Sequence, residues 1–384
     1  MEKFIEQFKA FYQTAPDAAA QAPGRLEILG NHTDYNQGFV LSCAVAQNTK
    51  FALRRKNSKH CQIKDFRDGS IASFDLDKID QAAPRDWGNY IRGVIVELRK
   101  RNQNVSGFDG AISSDVPLSA GMSSSAALET AAGFAFAKAF DINLDKTEWA
   151  KVGQGVENNY LGLKSGLLDQ FSSIFGKADN LILSDFRTVE VLQNVALPAG
   201  YMLVVVNSMI KHNLVDSEYN TRRADCEGAA TKLARIYPGV TALRDISSAQ
   251  LEAAKNELTL LEYRRAKHVV GECERVMQTV DLLSKDDVAG FGRLLYDSHE
   301  SSRVNFENST PELDYLVELS KSIPGALGAR LSGGGFGGIT IHLVKSEMAG
   351  EYSNRISTAY RSWAGVKPEI FCCAIGDGAK LIDL

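Results

Sequence analysis

Between Leu331 and Gly338 the chain reads Leu-Ser-Gly-Gly-Gly-Phe-Gly-Gly, five glycines in six positions, flanked by two strand-like segments. Glycine loses more backbone entropy on folding than any other residue. Such density therefore marks backbone that passes close to something or takes several positive φ angles. A flexible hairpin is the plainer alternative. Total glycine content hides this feature, because 32 glycines in 384 residues is close to the average usage of about 7%.

The strand-like flanks belong to a chain long enough for two or three domains of about 150 residues. Apolar residues make up 44% and charged residues 23%, which excludes a disordered or fibrous chain. The formal net charge of -4 gives no basic surplus for a nucleic-acid backbone, so no nucleic-acid partner is expected. No apolar run approaches the eighteen or so residues of a membrane span, and the amphipathic start Met1 to Phe8 lacks the apolar stretch of a secretory signal. The cysteines at 43, 61, 226, 273, 372 and 373 contain no C-x-x-C spacing. They read as buried thiols of a reduced, cytoplasmic protein.

Hydrophobic periodicity divides the chain coarsely. Strand signals run over Phe39 to Leu53, Cys61 to Phe66 and Ser70 to Phe74, expected as antiparallel neighbours. Spacings of three and four then predict a helix from Trp87 to Arg101, followed by a strand from Phe108 to Ser113. Helices are expected at Ser123 to Phe140 and Glu148 to Tyr160, and strands at Leu181 to Leu183 and Tyr201 to Val206. The stretch from Ser217 to Ile323 reads as several helices. Strands at Ala329 to Ser332, Gly338 to Val344 and Ile370 to Ala374 surround a last helix at Met348 to Trp363. An α+β chain with two sheets fits this order.

Three further segments concentrate chemistry. Pro117 to Glu129 contains Gly121 and three consecutive serines, Ser123, Ser124 and Ser125, where a strand meets a helix. The first N–H groups of a helix lack intrahelical partners and the dipole is positive there, so the place suits phosphate; simple N-capping by serine is the alternative. No Walker A sequence competes, since Gly176-Lys177 is followed by Ala178. Ala22 to Asn36 sets Arg25, His32, Asp34 and Tyr35 within eleven residues. Asp169 lies amid apolar neighbours in Ser165 to Ser173, where a carboxylate is either a member of a structural ion pair or a catalytic group.

Taken together these segments resemble the motifs of the GHMP small-molecule kinases, and among them the galactokinases most closely. Pro23 to Tyr35 is similar to the sugar-binding signature, Pro117 to Leu128 to the phosphate loop, Gly166 to Gln170 to the catalytic segment, and Leu331 to Gly338 to the third motif. Trp87 to Tyr90 with Gly93, and Lys211 to Leu214 leading to Tyr219 with Arg222 and Arg223, extend the likeness. It implies transfer of the γ-phosphoryl group of ATP to the anomeric hydroxyl of galactose, with Asp169 as base beside Arg25. Implied sugar contacts are Arg25, Asn31, His32, Asp34, Gly166, Asp169 and Tyr219. Implied nucleotide contacts are Trp87, Ser119, Ala120, Gly121, Met122, Ser123, Ser124, Ser125, Ala126, Gly334 and Gly335. Ser124, Ser125 and Glu157 would hold Mg²⁺.

The resemblance also implies a two-domain fold, an N-terminal domain like that of ribosomal protein S5 over residues 1–175, rejoined by 366–384, and a ferredoxin-like domain over 176–365. A monomer is expected. The sequence departs from the family where Asn31 replaces the usual Glu, where Glu27 stands in place of a common Asn, and where Asn158 replaces His. Loss of charge at residue 31 opens galacturonate as an alternative substrate, beside arabinose and N-acetylgalactosamine. A sugar sensor without turnover is a further alternative, against which stand the intact serines and Asp169.

Overall fold

The computed structural model describes residues 2–117, 121–211 and 215–384. Helix α1 (Glu2–Tyr12) precedes β1 (Ala18–Leu29), β2 (Phe39–Arg55), β3 (His60–Asp65) and β4 (Ile71–Asp75). Then follow α2 (Asn89–Lys100), β5 (Phe108–Ser114), α3 (Ser124–Phe140), α4 (Lys146–Gly155), α5 (Leu168–Phe175), β6 (Asn180–Asp185) and β7 (Glu190–Ala196). The second part comprises β8 (Tyr201–Lys211), α6 (Val215–Ile236), α7 (Ser248–Ala253), α8 (Leu260–Ser284), α9 (Val288–Ser301) and α10 (Pro311–Ser322). It ends with β9 (Ala326–Ser332), β10 (Gly337–Lys345), α11 (Ala349–Ala364), β11 (Glu369–Cys373) and β12 (Lys380–Leu381).

The first sheet runs β12-β1-β2-β5-β3-β4, with β6 on β2 and β7 on β6. Side chains alternate across a strand, so Ala18, Ala20, Phe51 and Leu53 face a core built with α2 to α5, while Ala19 and Ala52 meet Phe4, Ile5 and Phe8 of α1. The expected antiparallel run is corrected at one place. β5 separates β2 from β3 and lies parallel to β3, because the chain crosses over through α2 before re-entering the sheet.

The second sheet, β11-β8-β10-β9, is antiparallel throughout. Val204 and Val206 of β8 face α10 and α11, whereas Leu203 and Val205 join β10, α8 and α9 in a core that also contains Leu26, Ile28, Leu41 and Cys43 of the first sheet. The two sheets therefore share one apolar interior. This confirms the α+β reading with two sheets, but strand pairing moves the expected division at 175/176. β6 pairs with β2 from Phe39↔Asp185 to Ser42↔Ile182, so the first sheet extends to Ala196. Of the tail 366–384, β11 stays with the second sheet and β12 alone joins β1. Among the described residues no helix is long and apolar enough to cross a membrane.

Helix α9 lies unusually close to β9 through two glycines. A Cβ on Gly292 would sit 2.3 Å from the Leu327 carbonyl oxygen, and one on Gly328 would sit 2.1 Å from the Gly292 carbonyl oxygen. Both obstacles are backbone, which cannot rotate away. Gly292→Ala is expected to lower stability by about 1–3 kcal/mol, an overpacking cost that urea unfolding measures.

Candidate active site

Arg25 leaves β1 beside a bulge, where pairing with β2 shifts register between Pro23 and Arg25. Its Nε donates to Asp169 Oδ1 at 2.8 Å and a terminal nitrogen reaches the same oxygen at 2.7 Å. The other terminal nitrogen donates to the Gly121 carbonyl at 2.5 Å, and the Arg25 backbone N–H donates to the Met122 carbonyl at 3.0 Å. Asp169 opens α5, and its second oxygen accepts from Ser123 Oγ. Ser123 thus spends its hydroxyl on the carboxylate. It sits at the N-cap of α3 in the left-handed region, φ 52°, without making a side-chain cap.

Two cavities meet at this pair. The first, about 350 Å³, is lined by Glu27, Asp34, Gly166, Tyr219 and the loop 161–165. That size lies at the small end of the ~300–1,000 Å³ of small-molecule pockets. The second is lined by Gly121 to Ser125 and by Ser332 to Ile339. Arg25, Asp169, Gly333 and Gly334 line both.

In the first cavity Asp34 and Gly166 are fitted to each other, since a Cβ on Gly166 would fall 1.5 Å from Asp34 Oδ2. Burial pushes the Asp34 carboxyl up to about 6, against the backbone N–H of Tyr35 and with the charges of Glu27 and Asp169 adding to the rise. The Tyr219 ring lies tilted against that of His32, ring centres 5.0 Å apart. Both His32 nitrogens are engaged, Nδ1 with the Tyr35 hydroxyl at 2.7 Å and Nε2 with the Gly334 carbonyl at 3.1 Å. Burial pushes its pKa down to about 3, so the ring is neutral and holds the glycine loop.

Asn31 lines the first cavity, and its side chain is also tied into the protein. Its Nδ2 donates to Glu27 Oε1 at 2.9 Å and to the Gly333 carbonyl at 2.8 Å, and its Oδ1 accepts from Asn308 Nδ2 at 2.9 Å. Both amide hydrogens are spent inside the protein and the side chain is buried. The residue that the sequence reading missed is Glu27, which lines the cavity and pairs with Arg330 at 2.9 Å. Burial raises the Glu27 carboxyl, and Arg330 opposes the rise. The i, i+4 exchange of carboxylate and amide between residues 27 and 31 was the available signal.

In the second cavity the glycines of the opening motif run close to other backbone. Gly333, Gly335, Gly337 and Gly338 all have positive φ, and a Cβ on Gly335 would meet the Asn308 carbonyl at 2.3 Å. The loop is the turn of the antiparallel β9–β10 hairpin, and these close backbone approaches tie it to its surroundings. Gly121 and Met122 line the cavity with Ser123, Ser124 and Ser125, whereas Ala126 is buried in the first turn of α3 and lines neither cavity. Ser119 and Ala120, and with them Leu118 and His212 to Leu214, lie outside the described residues. A third, adjoining cavity is bounded by Trp87, Tyr90, Ser124, Ser125 and Leu128.

Glu157 stands in a π-helical turn, Val156–Tyr160, that continues α4 where a plain helix was expected. It accepts from Ser165 Oγ and, at 3.4 Å, from Ser125 Oγ. Burial, then the charge of Asp169, pushes its carboxyl up to about 7. Among the described residues no cluster of three or more His, Cys, Asp or Glu side chains forms a metal cage. Mg²⁺ seldom requires one, since it keeps waters and takes one or two protein oxygens beside substrate phosphates. The hard oxygens of Ser125 and Glu157, with an uncompensated carboxylate beside them, fit that cation.

The loop after β1 is held from the second half of the chain. Glu272 Oε2 accepts the N–H groups of Gly30 and Asn31, both at 2.9 Å, while Arg275 Nε donates to its Oε1 at 2.7 Å. Burial pushes the Glu272 carboxyl up, yet Arg275 and Arg330 outweigh it and hold the group well below the usual carboxylate range. His268 Nε2 bonds the Asn31 carbonyl at 3.1 Å, and Arg330 donates to the Ile28 carbonyl at 2.9 Å. Sequence reading gave none of these three, since each lies about 240 to 300 residues from its partner.

Comparison with known proteins adds an independent line. Residues 89–177 match the GHMP kinases N terminal domain, residues 279–355 the GHMP kinases C terminal domain, and residues 6–55 the galactokinase galactose-binding signature. The galactokinase of Roseiflexus sp. (strain RS-1) is 39% identical over 97% of this chain and 95% of its own length. That of Glaesserella parasuis serovar 5 (strain SH0165) is 36% identical over 98% of each. The crystal structure of Lactococcus lactis galactokinase complexed with galactose superposes with a TM-score of 0.93, at 29% identity over 99% of both chains. Methanococcus jannaschii mevalonate kinase, at 19% identity and a TM-score of 0.63, shares the fold.

Removing Glu272 strands a partly buried arginine and two backbone donors. Glu272→Ala is expected to lose about 3–5 kcal/mol of unfolding free energy in a denaturant titration, the cost of breaking a buried pair. A loss below about 1 kcal/mol would show that the anchor is dispensable.

Proposed function

This chain belongs to the galactokinases of the GHMP kinase family, and on that footing we propose that it phosphorylates the anomeric hydroxyl of galactose with ATP, giving galactose 1-phosphate and ADP. One observation carries the reading: the Arg25–Asp169 pair borders both cavities. An acceptor in the first and a triphosphate in the second would meet there.

Asp169 takes the proton of the anomeric hydroxyl as the oxygen attacks the γ-phosphorus, and the bond to the bridging oxygen of ADP breaks. Arg25 keeps Asp169 ionised and offers positive charge to the transferring group. In the ground state Ser123 occupies the Asp169 oxygen that Arg25 does not, so arrival of the sugar replaces one hydroxyl donor by another. Asp34 and Tyr219 orient the sugar, and Gly166 makes room for the Asp34 carboxylate. The N–H groups at the start of α3 and the glycine loop cradle the phosphates, with the adenine toward Trp87. Glu157 with Ser124 and Ser125 would hold Mg²⁺, which when bound would supply charge neutralisation on the phosphate oxygens. Six free cysteines agree with a reducing, cytoplasmic setting.

Coupled measurement of ADP release with galactose tests the activity, and silence would sink it. Asp169→Ala should cut kcat about 10²- to 10⁴-fold while galactose binding persists. Unchanged turnover would refute the role of the base, and the retained binding separates a kinase from a mere sensor. Asp34 gives the pH dependence its sign. An acid held up near 6 is ionised above that value and accepts sugar hydroxyls only then. Galactose affinity by calorimetry should therefore be level above about pH 7 and fall as pH drops through 6. Asp34→Asn should be weaker throughout and lack that step.

A further inference from the structure

Glu27 is used by the protein on one oxygen only. Arg330 and the Asn31 amide both donate to Oε1, each at 2.9 Å, and no described residue donates to Oε2. Oε2 is also absent from the buried side-chain oxygens that lack a partner, and the carboxylate lines the sugar cavity. That oxygen therefore opens onto the cavity. Its orientation is fixed, since Arg330 is fully buried and is itself tied to the Ile28 carbonyl. Asn31 cannot replace it, having spent both hydrogens on Glu27 and Gly333. The negative charge missing at residue 31 is thus present after all, delivered by the side chain four positions earlier.

We propose that Glu27 is a specificity-determining residue, whose Oε2 accepts a hydrogen bond from one hydroxyl of a neutral hexose and repels sugars that carry a carboxylate. The proposal rests on the galactose reading above and names what that site selects. A pocket built to receive a hydroxyl rejects an analogue without it strongly, because its buried polar atom is left unpaired. It rejects an anion for another reason. Glu27, Asp34 and Asp169 all border the cavity, Arg25 is already committed to Asp169, and Lys164 stands at the exposed rim. A uronic acid would bring a further carboxylate against these, out of water.

The test compares galactose, its monodeoxy analogues and galacturonate on the full-length enzyme and on Glu27→Gln, with sugar affinity by calorimetry beside turnover. In the unmodified enzyme one monodeoxy sugar should bind about 10- to 100-fold more weakly than galactose, the worth of a hydrogen bond to a charged group. In Glu27→Gln galactose itself should weaken by a similar factor, and the same analogue should lose nothing further. Galacturonate should be turned over at least about 100-fold less efficiently than galactose by the unmodified enzyme.

Losses that add for every analogue, or galacturonate within tenfold of galactose, would overturn the proposal. Where Glu27→Gln fails to fold for want of the Arg330 partner, the unmodified enzyme still decides: no tenfold loss with any monodeoxy sugar refutes the contact. Intact selectivity in binding without turnover would instead overturn the kinase reading and leave Glu27 standing. Turnover with additive losses overturns Glu27 alone.

Discussion

The contact between Arg25 and Asp169 is the constraint around which the rest of the site is arranged. One side chain joins three elements that are remote in sequence: the strand that carries it, the loop before α3 through Gly121, and the first turn of α5. Taking an arginine and a carboxylate from water costs several kcal/mol per ion, and the cost is recovered only when every remaining polar atom finds a partner. Ser123 supplies that partner on the far Asp169 oxygen. The backbone is drawn in as well, since Arg25 N–H meets the Met122 carbonyl and Gly24 approaches the same oxygen so closely that a Cβ would lie 2.6 Å away. The bulge in β1 and the glycine beside it are the local consequence of bringing strand and loop this near.

Around that pair the cleft accumulates carboxylates. Glu157 and Asp34 are pushed toward neutral pH by burial, and each rises further because Asp169 is close. Glu129, behind them, is raised well above the ordinary range by burial and then by Glu157; Gln170 Nε2 donates to its Oε2 at 3.0 Å, and among the described residues Oε1 has no partner. A second cation is what such a group lacks, and a divalent metal with a triphosphate is a natural complement. This explains how a chain with a net charge of -4 can handle a polyanionic substrate. With such a cation bound the charges would be matched over a few ångströms inside the cleft, where screening by salt is weak, so no basic exterior would be needed.

What the sequence disclosed depended on whether the cause was local. The glycine run was legible because positive φ and close backbone approach are properties of the run itself, and Gly333, Gly335, Gly337 and Gly338 show them. The serine loop and Asp169 were legible as a loop at a helix start and as a carboxylate among apolar residues. β1 was not, because Pro23 and Gly24 carry strand-breaking signals, and the reason for tolerating them is the Met122 carbonyl a hundred residues away. Glu27 stood out only as a departure from the family pattern, for the same reason. Its meaning comes from Arg330, buried beneath it and 303 residues later in the chain.

The turn that follows β1 shows why the two halves of the molecule share one core instead of flexing about a linker. Gly30 and His32 both adopt positive φ, 98° and 60°, and for histidine that region is sparsely populated. Such a conformation persists only where its surroundings over-determine it. Here they do: Glu272 takes two successive N–H groups, His268 the Asn31 carbonyl and Arg330 the Ile28 carbonyl, all from α8 and β9. Beneath them Leu26 and Ile28 are packed with Leu203, Val205 and Ile341. A hinge between the halves would break four buried polar contacts and open that interior at once. On the proposed mechanism the loop that would orient a sugar is consequently held by the second half, while Arg25 and Asp169, which would activate it, are carried by the first. Their relative position is a property of the shared core, in which Arg330 meets Glu27 and the Gly333 carbonyl meets Asn31.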